Sequence, residues 1–144
     1  QVTGEVAADA TTVYLEGAVT VNGHLTINNG TLDVSTSNSA INLAGNWVNN
    51  GTFNPQQGTV TLNGTSAQSI TSGGTEDAFY NLVLNNGSTA GVQLNDDIEI
   101  SNLLTLTDGI LTAASNELVH LPAGATVSGA SDDSHEDGPV SKTG

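Results

Sequence analysis

Three times in this chain a pair of asparagines and a glycine precede a hydroxyl residue: Asn28-Asn29-Gly30-Thr31, Asn49-Asn50-Gly51-Thr52 and Asn85-Asn86-Gly87-Ser88. Asn and Gly are the residues that accept positive φ, so each word marks a tight corner and not a helix cap. Between such corners lie short alternating segments. VYL (13–15), VTV (19–21), LTI (25–27), LDV (32–34) and INL (41–43) come first, then VTL (60–62), LVL (82–84), VQL (92–94), IEI (98–100) and LTL (104–106). The apolar segments GILT (109–112) and LVHL (118–121) follow. Period-two alternation puts the first and third residue of a triplet on one face and the Thr, Asp, Gln or Glu between them on the other. No stretch sustains a 3.6-residue apolar period, so the chain is all-β.

Strands this short fit either an antiparallel sandwich or barrel, or a solenoid that bends every few residues. Sandwich strands run about five or six residues with turn signals every 8–12, and corners here come sooner. Equivalent words also return at longer spacing: Asn28 to Asn49 is 21 residues and Asn63 to Asn85 is 22. A period near 20 is one turn of a parallel β-helix, and about six coils at roughly 4.8 Å each make a short rod. The hand of parallel crossovers sets the expectation of a right-handed solenoid. Aromatics are 3% of residues and Met and Cys are absent, as suits a narrow core of Leu, Ile and Val ladders. Trp47, Phe53 and Phe79, with Tyr80, are the expected plugs of wider layers. Asn28, Asn49, Asn50, Asn63, Asn85 and Asn86 are the expected corner residues, able to hydrogen-bond between coils. Residues 1–11, with Val2 and Val6 as anchors, read as a lead-in or partial cap, 12–130 as the solenoid, and 131–144 as an acidic edge segment or linker. Ala67–Ala78 reads as a loop bulging from the coil.

One Lys against fifteen acids gives a formal net charge of -14. Phosphate binding depends on clustered Lys and Arg, so nucleic acid is excluded as a partner and anionic membrane surfaces are disfavoured. No apolar run approaches the roughly 20 residues that cross a bilayer, and membrane insertion is not expected. Without Cys there are no disulfides or thiolate metal sites. A cation, a neutral glycan or another protein surface remains attractive to such a chain.

The order GNWVNNGTFNPQQGTVTLNG, AQSI, FYNLVLNNG, LLTLTDGILTA and ATVSGASDDSHEDGPVSKTG resembles the repeat modules of large secreted and surface proteins of Bacteroidetes-type bacteria. Those proteins are similar to filamentous surface adhesins, and many carry a sorting domain exported by the type IX secretion system. The resemblance spans roughly residues 20–144. It implies a parallel β-helix, a secreted or cell-surface location and a structural or adhesive role, and it brings no catalytic motif. In the family the segment beginning Gly138-Pro139-Val140 leads into a further module, whereas here the chain stops at Gly144 with no sorting domain, so a fragment or one ordered piece of a longer polypeptide is expected.

Acidic residues cluster at Glu76-Asp77, at Asp96-Asp97 with Glu99, and at Asp132-Asp133 with Glu136-Asp137. Calcium takes six to eight oxygen ligands, so Asp132, Asp133, Glu136 and Asp137 on a Gly/Ser-rich segment are the candidate calcium ligands. They lack EF-hand spacing and the GGxGxDxUx repeat, and the bland reading, which the missing spacing favours, is a solvated acidic loop that keeps a long rod soluble. No other cofactor is expected. Glycoside cleavage needs two carboxyls about 5–9.5 Å apart in a cleft, and lyase chemistry adds a basic group that this chain scarcely supplies. Asp96 and Glu99 sit on an outer face. His24, His120 and His135 are scattered, with His120 at an outward position and outside any dense ligand set. Thr59-Val60-Thr61 and Thr105-Leu106-Thr107 resemble the flat threonine arrays of ice-binding solenoids, which need the pair on every coil.

The expected function is therefore a non-enzymatic extracellular structural module of a surface protein or filament, assembling end to end with neighbouring domains or copies of itself. The alternatives are a glycan-binding or adhesin module using exposed Asn, Gln and Tyr80 against glycans or surface proteins, and a polysaccharide-active enzyme.

Overall fold

Chain segments of three to five alternating residues bury one side each, and the chain satisfies their backbone groups by pairing every segment with its equivalent one turn later. In the computed structural model this produces a parallel β-solenoid of about six turns, with no helix among the described residues. The structure describes residues 11–73, 76–114 and 116–144, and the backbone of 6–8.

The first turn carries β1 (Val6–Ala8), β2 (Thr12–Tyr14) and β3 (Val19–Val21), and the second β4 (Leu25–Ile27), β5 (Thr31–Asp33) and β6 (Ile41–Leu43). The third carries β7 (Trp47–Asn49), β8 (Thr52–Asn54) and β9 (Thr59–Leu62). In the fourth and fifth turns the second and third segments merge, so β10 (Gln68–Ser72) is followed by the long β11 (Asp77–Asn85), and β12 (Val92–Leu94) by the long β13 (Ile98–Asp108). The sixth returns to β14 (Leu111–Ala113), β15 (Val119–Leu121) and β16 (Thr126–Ser128), after which β17 (Glu136–Asp137) and β18 (Val140–Lys142) begin a further turn. One sheet runs β1-β4-β7-β10-β12-β14-β17, a second β3-β6-β9-β11-β13-β15-β18 with β16 also on β13, and a third β2-β5-β8.

Parallel register turns the sequence pattern into columns. Leu25, Trp47, Ile70, Leu94 and Ala113 stack in one inward column. Val19, Ile41, Val60, Leu82, Leu104 and Val127 form another. Trp47, Phe53 and Phe79 are buried and meet as a group: Trp47 to Phe53 is 4.7 Å between ring centroids at 75°, Trp47 to Phe79 is 5.2 Å, and Phe53 to Phe79 is 5.9 Å. Those are edge-to-face and tilted geometries that ring quadrupoles favour. Tyr80 is half-buried and stands outside this group.

Two expectations change. Gln68–Ser72, read as part of a loop, is β10, paired in register with Trp47–Asn49 on one side and Val92–Leu94 on the other. Its inward positions are Gln68, Ile70 and Ser72, so two of the three are polar and the alternation is hidden from a hydropathy reading. Gly74 and Thr75 of that segment lie outside the described residues, as does the anchor Val2. The triplets IEI and LTL are one strand, β13, bent where the register shifts between Phe79 and Asn81 of its partner. The segment 131–144, read as an acidic edge segment or linker, carries β17 paired with β14 and β18 paired with β15, the edge strands of two sheets.

Corners close because backbone approaches backbone. Gly91 has φ +62°, and a Cβ there would strike the Ile110 carbonyl oxygen of the next turn. Removing a central ring acts on the core directly. Phe79→Ala empties the space between Trp47 and Ile100, and the expected loss is about 3–5 kcal/mol, measured by equilibrium denaturation.

Candidate functional site

Polar side chains, Asn49, Gln68, Ser72, Asp77 and Glu136 among them, occupy inward column positions, and these are where the fold departs from a plain aliphatic stack. Asp77 sits directly above Ile98, Val119 and Val140 in register and is buried. Its carboxylate accepts a hydrogen bond from Trp47 Nε1 at 2.8 Å and a short one from Asn49 Nδ2. Burial pushes the Asp77 carboxyl above the usual aspartate range, and the two donors hold it back only in part. Asn49 completes its set by accepting from Gly51 N at 2.9 Å.

Gln68 heads the column that continues as Val92, Leu111 and Glu136. Its Oε1 accepts from Gly64 N and Asn86 Nδ2, both at 2.8 Å, and its Nε2 donates to Leu43 O at 3.0 Å and to Gly45 O. Asn86, fully buried, also donates to Ser66 O at 2.9 Å and accepts from Ser88 N at 2.8 Å. The pair ties three turns together with no donor or acceptor wasted. Glu136 ends the same column. Burial, then the neighbouring Asp137 charge, raises its carboxyl above the ordinary glutamate range, and its Oε1 is buried without a partner.

The predicted corner asparagines therefore divide. Asn49 and Asn86 bond between turns through their side chains, whereas Asn50, Asn63 and Asn85 are exposed, Asn50 and Asn63 donating backbone N–H to Ile27 O and Leu43 O. Asn28 is exposed just after β4. Asparagines that the sequence reading passed over do more of the stacking. Asn102 Nδ2 donates to Asn81 Oδ1 at 2.7 Å, Asn81 Nδ2 donates to Thr59 Oγ1 at 3.2 Å, and Asn95 Nδ2 donates to Thr71 Oγ1 at 2.9 Å. Their spacing of 21–24 residues was the available signal.

The candidate calcium ligands do not converge. Asp132 and Asp133 line a recess of about 390 Å³ with Asp108 and the backbone around Gly87–Thr89 and Gly109–Ile110. Glu136 and Asp137 instead lie in β17, in register with Leu111 and Thr112. Among the described residues the groups that do meet are Glu76, Glu99 and His120, whose Oε1, Oε2 and Nδ1 ligand atoms fall within 4.8 Å of one another. His120 is thus part of a ligand-type cluster after all. Glu99 and His120 are direct partners on β13 and β15, a closeness that a separation of 21 residues along the chain conceals. His24 Nδ1 accepts from Asn46 N at 2.9 Å and serves the stack. The threonine array fails as an ice-binding surface: Thr61 and Thr105 are separated in their column by Val83, and Thr59 is followed by Asn81.

No helix among the described residues is long and apolar enough to cross a membrane. Comparison with family models, with curated proteins and with solved structures found no match.

Asp77 yields a test with a definite sign. A carboxyl whose pKa is raised by folding binds more protons in the native state, so this group's contribution to stability falls as pH rises from about 3.9 through its raised value, then stays level. Asp77→Ala removes that pH-dependent component and strands two buried donors, each worth about 1–3 kcal/mol. Denaturation of both proteins between pH 3 and 7 is expected to show the variant less stable throughout, with the gap narrowing as pH rises through the window.

Proposed function

We propose that this chain is a non-enzymatic structural module of an extracellular surface protein or filament, a stiff spacer whose ends stack on further solenoid coils of neighbouring domains or of other copies. The observation that carries this reading is the way the inward columns stop. The column that starts at the partly buried Val19 is buried from Ile41 through Leu104 and reaches Val127 at 46% exposure, and the column through Ile98 and Val119 reaches Val140 at 48%. In the middle of the rod the same positions are at most 2% exposed.

Beside the two valines, β16, β17 and β18 are edge strands of their sheets. Such an edge offers unpaired N–H and C=O groups in a row, a template for another parallel strand. One added coil would satisfy those groups and cover both side chains, each worth up to about 1.5–3 kcal/mol when fully buried. The extracellular setting is supported by the resemblance of the repeat words to modules of secreted surface proteins. Mechanically, hydrogen bonds run along the rod axis, so pulling on the ends loads many backbone bonds that repeat turn by turn.

Net charge opposes stacking of copies, because each carries -14, and salt screens that repulsion with a Debye length of about 8 Å at physiological ionic strength. Sedimentation equilibrium of the purified chain is expected to show end-to-end association that strengthens from 20 to 500 mM salt, with short rods under the electron microscope. Val127→Lys combined with Val140→Lys is expected to keep the fold by circular dichroism and abolish association. A chain that stays monomeric at high salt and high concentration would sink the self-stacking part of the reading.

A further inference from the structure

Glu76, Glu99 and His120 belong to three successive turns of the solenoid and project from one lateral face. Register makes the arrangement rigid: Ala78, Glu99, His120 and Ser141 are consecutive partners across β11, β13, β15 and β18. The small Ala78 occupies the position above Glu99, and Glu76, two residues earlier, supplies the carboxylate on that side. Side-chain exposures of 42% for Glu76, 33% for Glu99 and 30% for His120 leave the three ligand atoms reachable from solvent.

From this geometry we propose that Glu76, Glu99 and His120 form a binding site for a divalent transition-metal ion of the zinc class, one ion bracing three consecutive coils. Three features argue for it. His120 Nδ1 stands 3.4 Å from Glu99 Oε2 and 3.6 Å from Glu76 Oε1. A direct charge-assisted N–H···O bond is shorter, about 2.7–2.9 Å. Ligand atoms held about 2.0–2.2 Å from a shared ion at tetrahedral angles stand roughly 3.3–3.6 Å apart, as the two oxygens do from His120 Nδ1, and all three ligand atoms lie within 4.8 Å of one another.

The second feature is the other ring nitrogen. His120 Nε2 lies 3.4 Å from Thr143 Oγ1, so a ring protonated at Nε2 directs its N–H toward a hydroxyl and its Nδ1 lone pair toward the two carboxylates. Metal-binding imidazoles are oriented in this manner, the free N–H held by a polar group. The third is ligand chemistry. An imidazole nitrogen with two carboxylate oxygens suits zinc and its neighbours, whereas calcium takes six or more oxygens. Two carboxylates and a neutral imidazole total two negative charges, on a chain whose overall field already concentrates cations.

The remaining positions around the ion face solvent and would take water. Because Glu76, Glu99 and His120 come from different turns, binding the ion requires all three turns to be stacked, and the ion therefore favours the folded rod over the unfolded chain.

The test is calorimetric titration of zinc chloride into the chelator-stripped full chain, paired with thermal unfolding with and without zinc. One ion per chain and a zinc-dependent rise in the melting midpoint are expected. Glu99→Gln, nearly the same shape, and His120→Ala are each expected to weaken binding by at least about 10-fold, the lower range seen even for groups that only support a ligand. Asp132→Asn with Asp133→Asn is expected to leave zinc affinity unchanged. Absence of zinc binding at submillimolar concentration, undiminished affinity in Glu99→Gln and His120→Ala, or tighter binding of calcium than of zinc would each overturn the proposal.

Discussion

Backbone hydrogen bonds between parallel segments one turn apart are the constraint on which everything else in this molecule rests. A parallel strand cannot be reached by a tight hairpin, so the chain must travel through a whole turn of 19–25 residues before its next equivalent segment arrives. Once it does, every inward residue lies on the inward residue of the preceding turn. The columns of Leu, Ile and Val follow from that geometry, as does the scarcity of rings, since Trp47 and Phe53 of the third turn with Phe79 of the fourth use the width that the solenoid offers.

The same constraint explains why polar residues end up buried. Register leaves no freedom to turn one segment without turning its neighbours, so a Gln or Asp that falls at an inward position is carried into the core. Gln68 and Asn86 are then useful, because Gln68 makes four hydrogen bonds and Asn86 three, one of them shared, and together they lock successive corners. Asp77 is more costly. It keeps Trp47 and Asn49 in place while its own charge is disfavoured by burial. Glu136 takes a similar position at the open end with an oxygen unpartnered, as expected of a column that further stacking would complete.

Outward residues obey the same register and give the lateral face its chemistry. Stacking places residues about 21–23 positions apart side by side, which makes ladders of asparagine and threonine at the bends and, on one face, brings two glutamates to a histidine. The proposed spacer role and the ionic brace proposed on the rod's side both draw on this one property: a solenoid couples each turn only to its neighbours, so any contact that spans turns adds directly to its stiffness.

The amino-acid sequence alone determined the β class, the parallel solenoid and the identity of the three core rings, because alternation, corner chemistry and a repeat near 21 residues are local signals that survive without knowing any contact. It also placed Asn49 and Asn86 at corners. Only the tertiary structure decided that Gln68–Ser72 is a strand, that Asp77 points inward while its neighbour Glu76 points out, and that Asp132 and Asp133 part company from Glu136 and Asp137. Those outcomes depend on register, which residue of one turn lies on which residue of the next. Turn lengths here vary by several residues, so no fixed period read along the chain could assign that pairing, whereas the hydrogen-bonded stack assigns it everywhere at once.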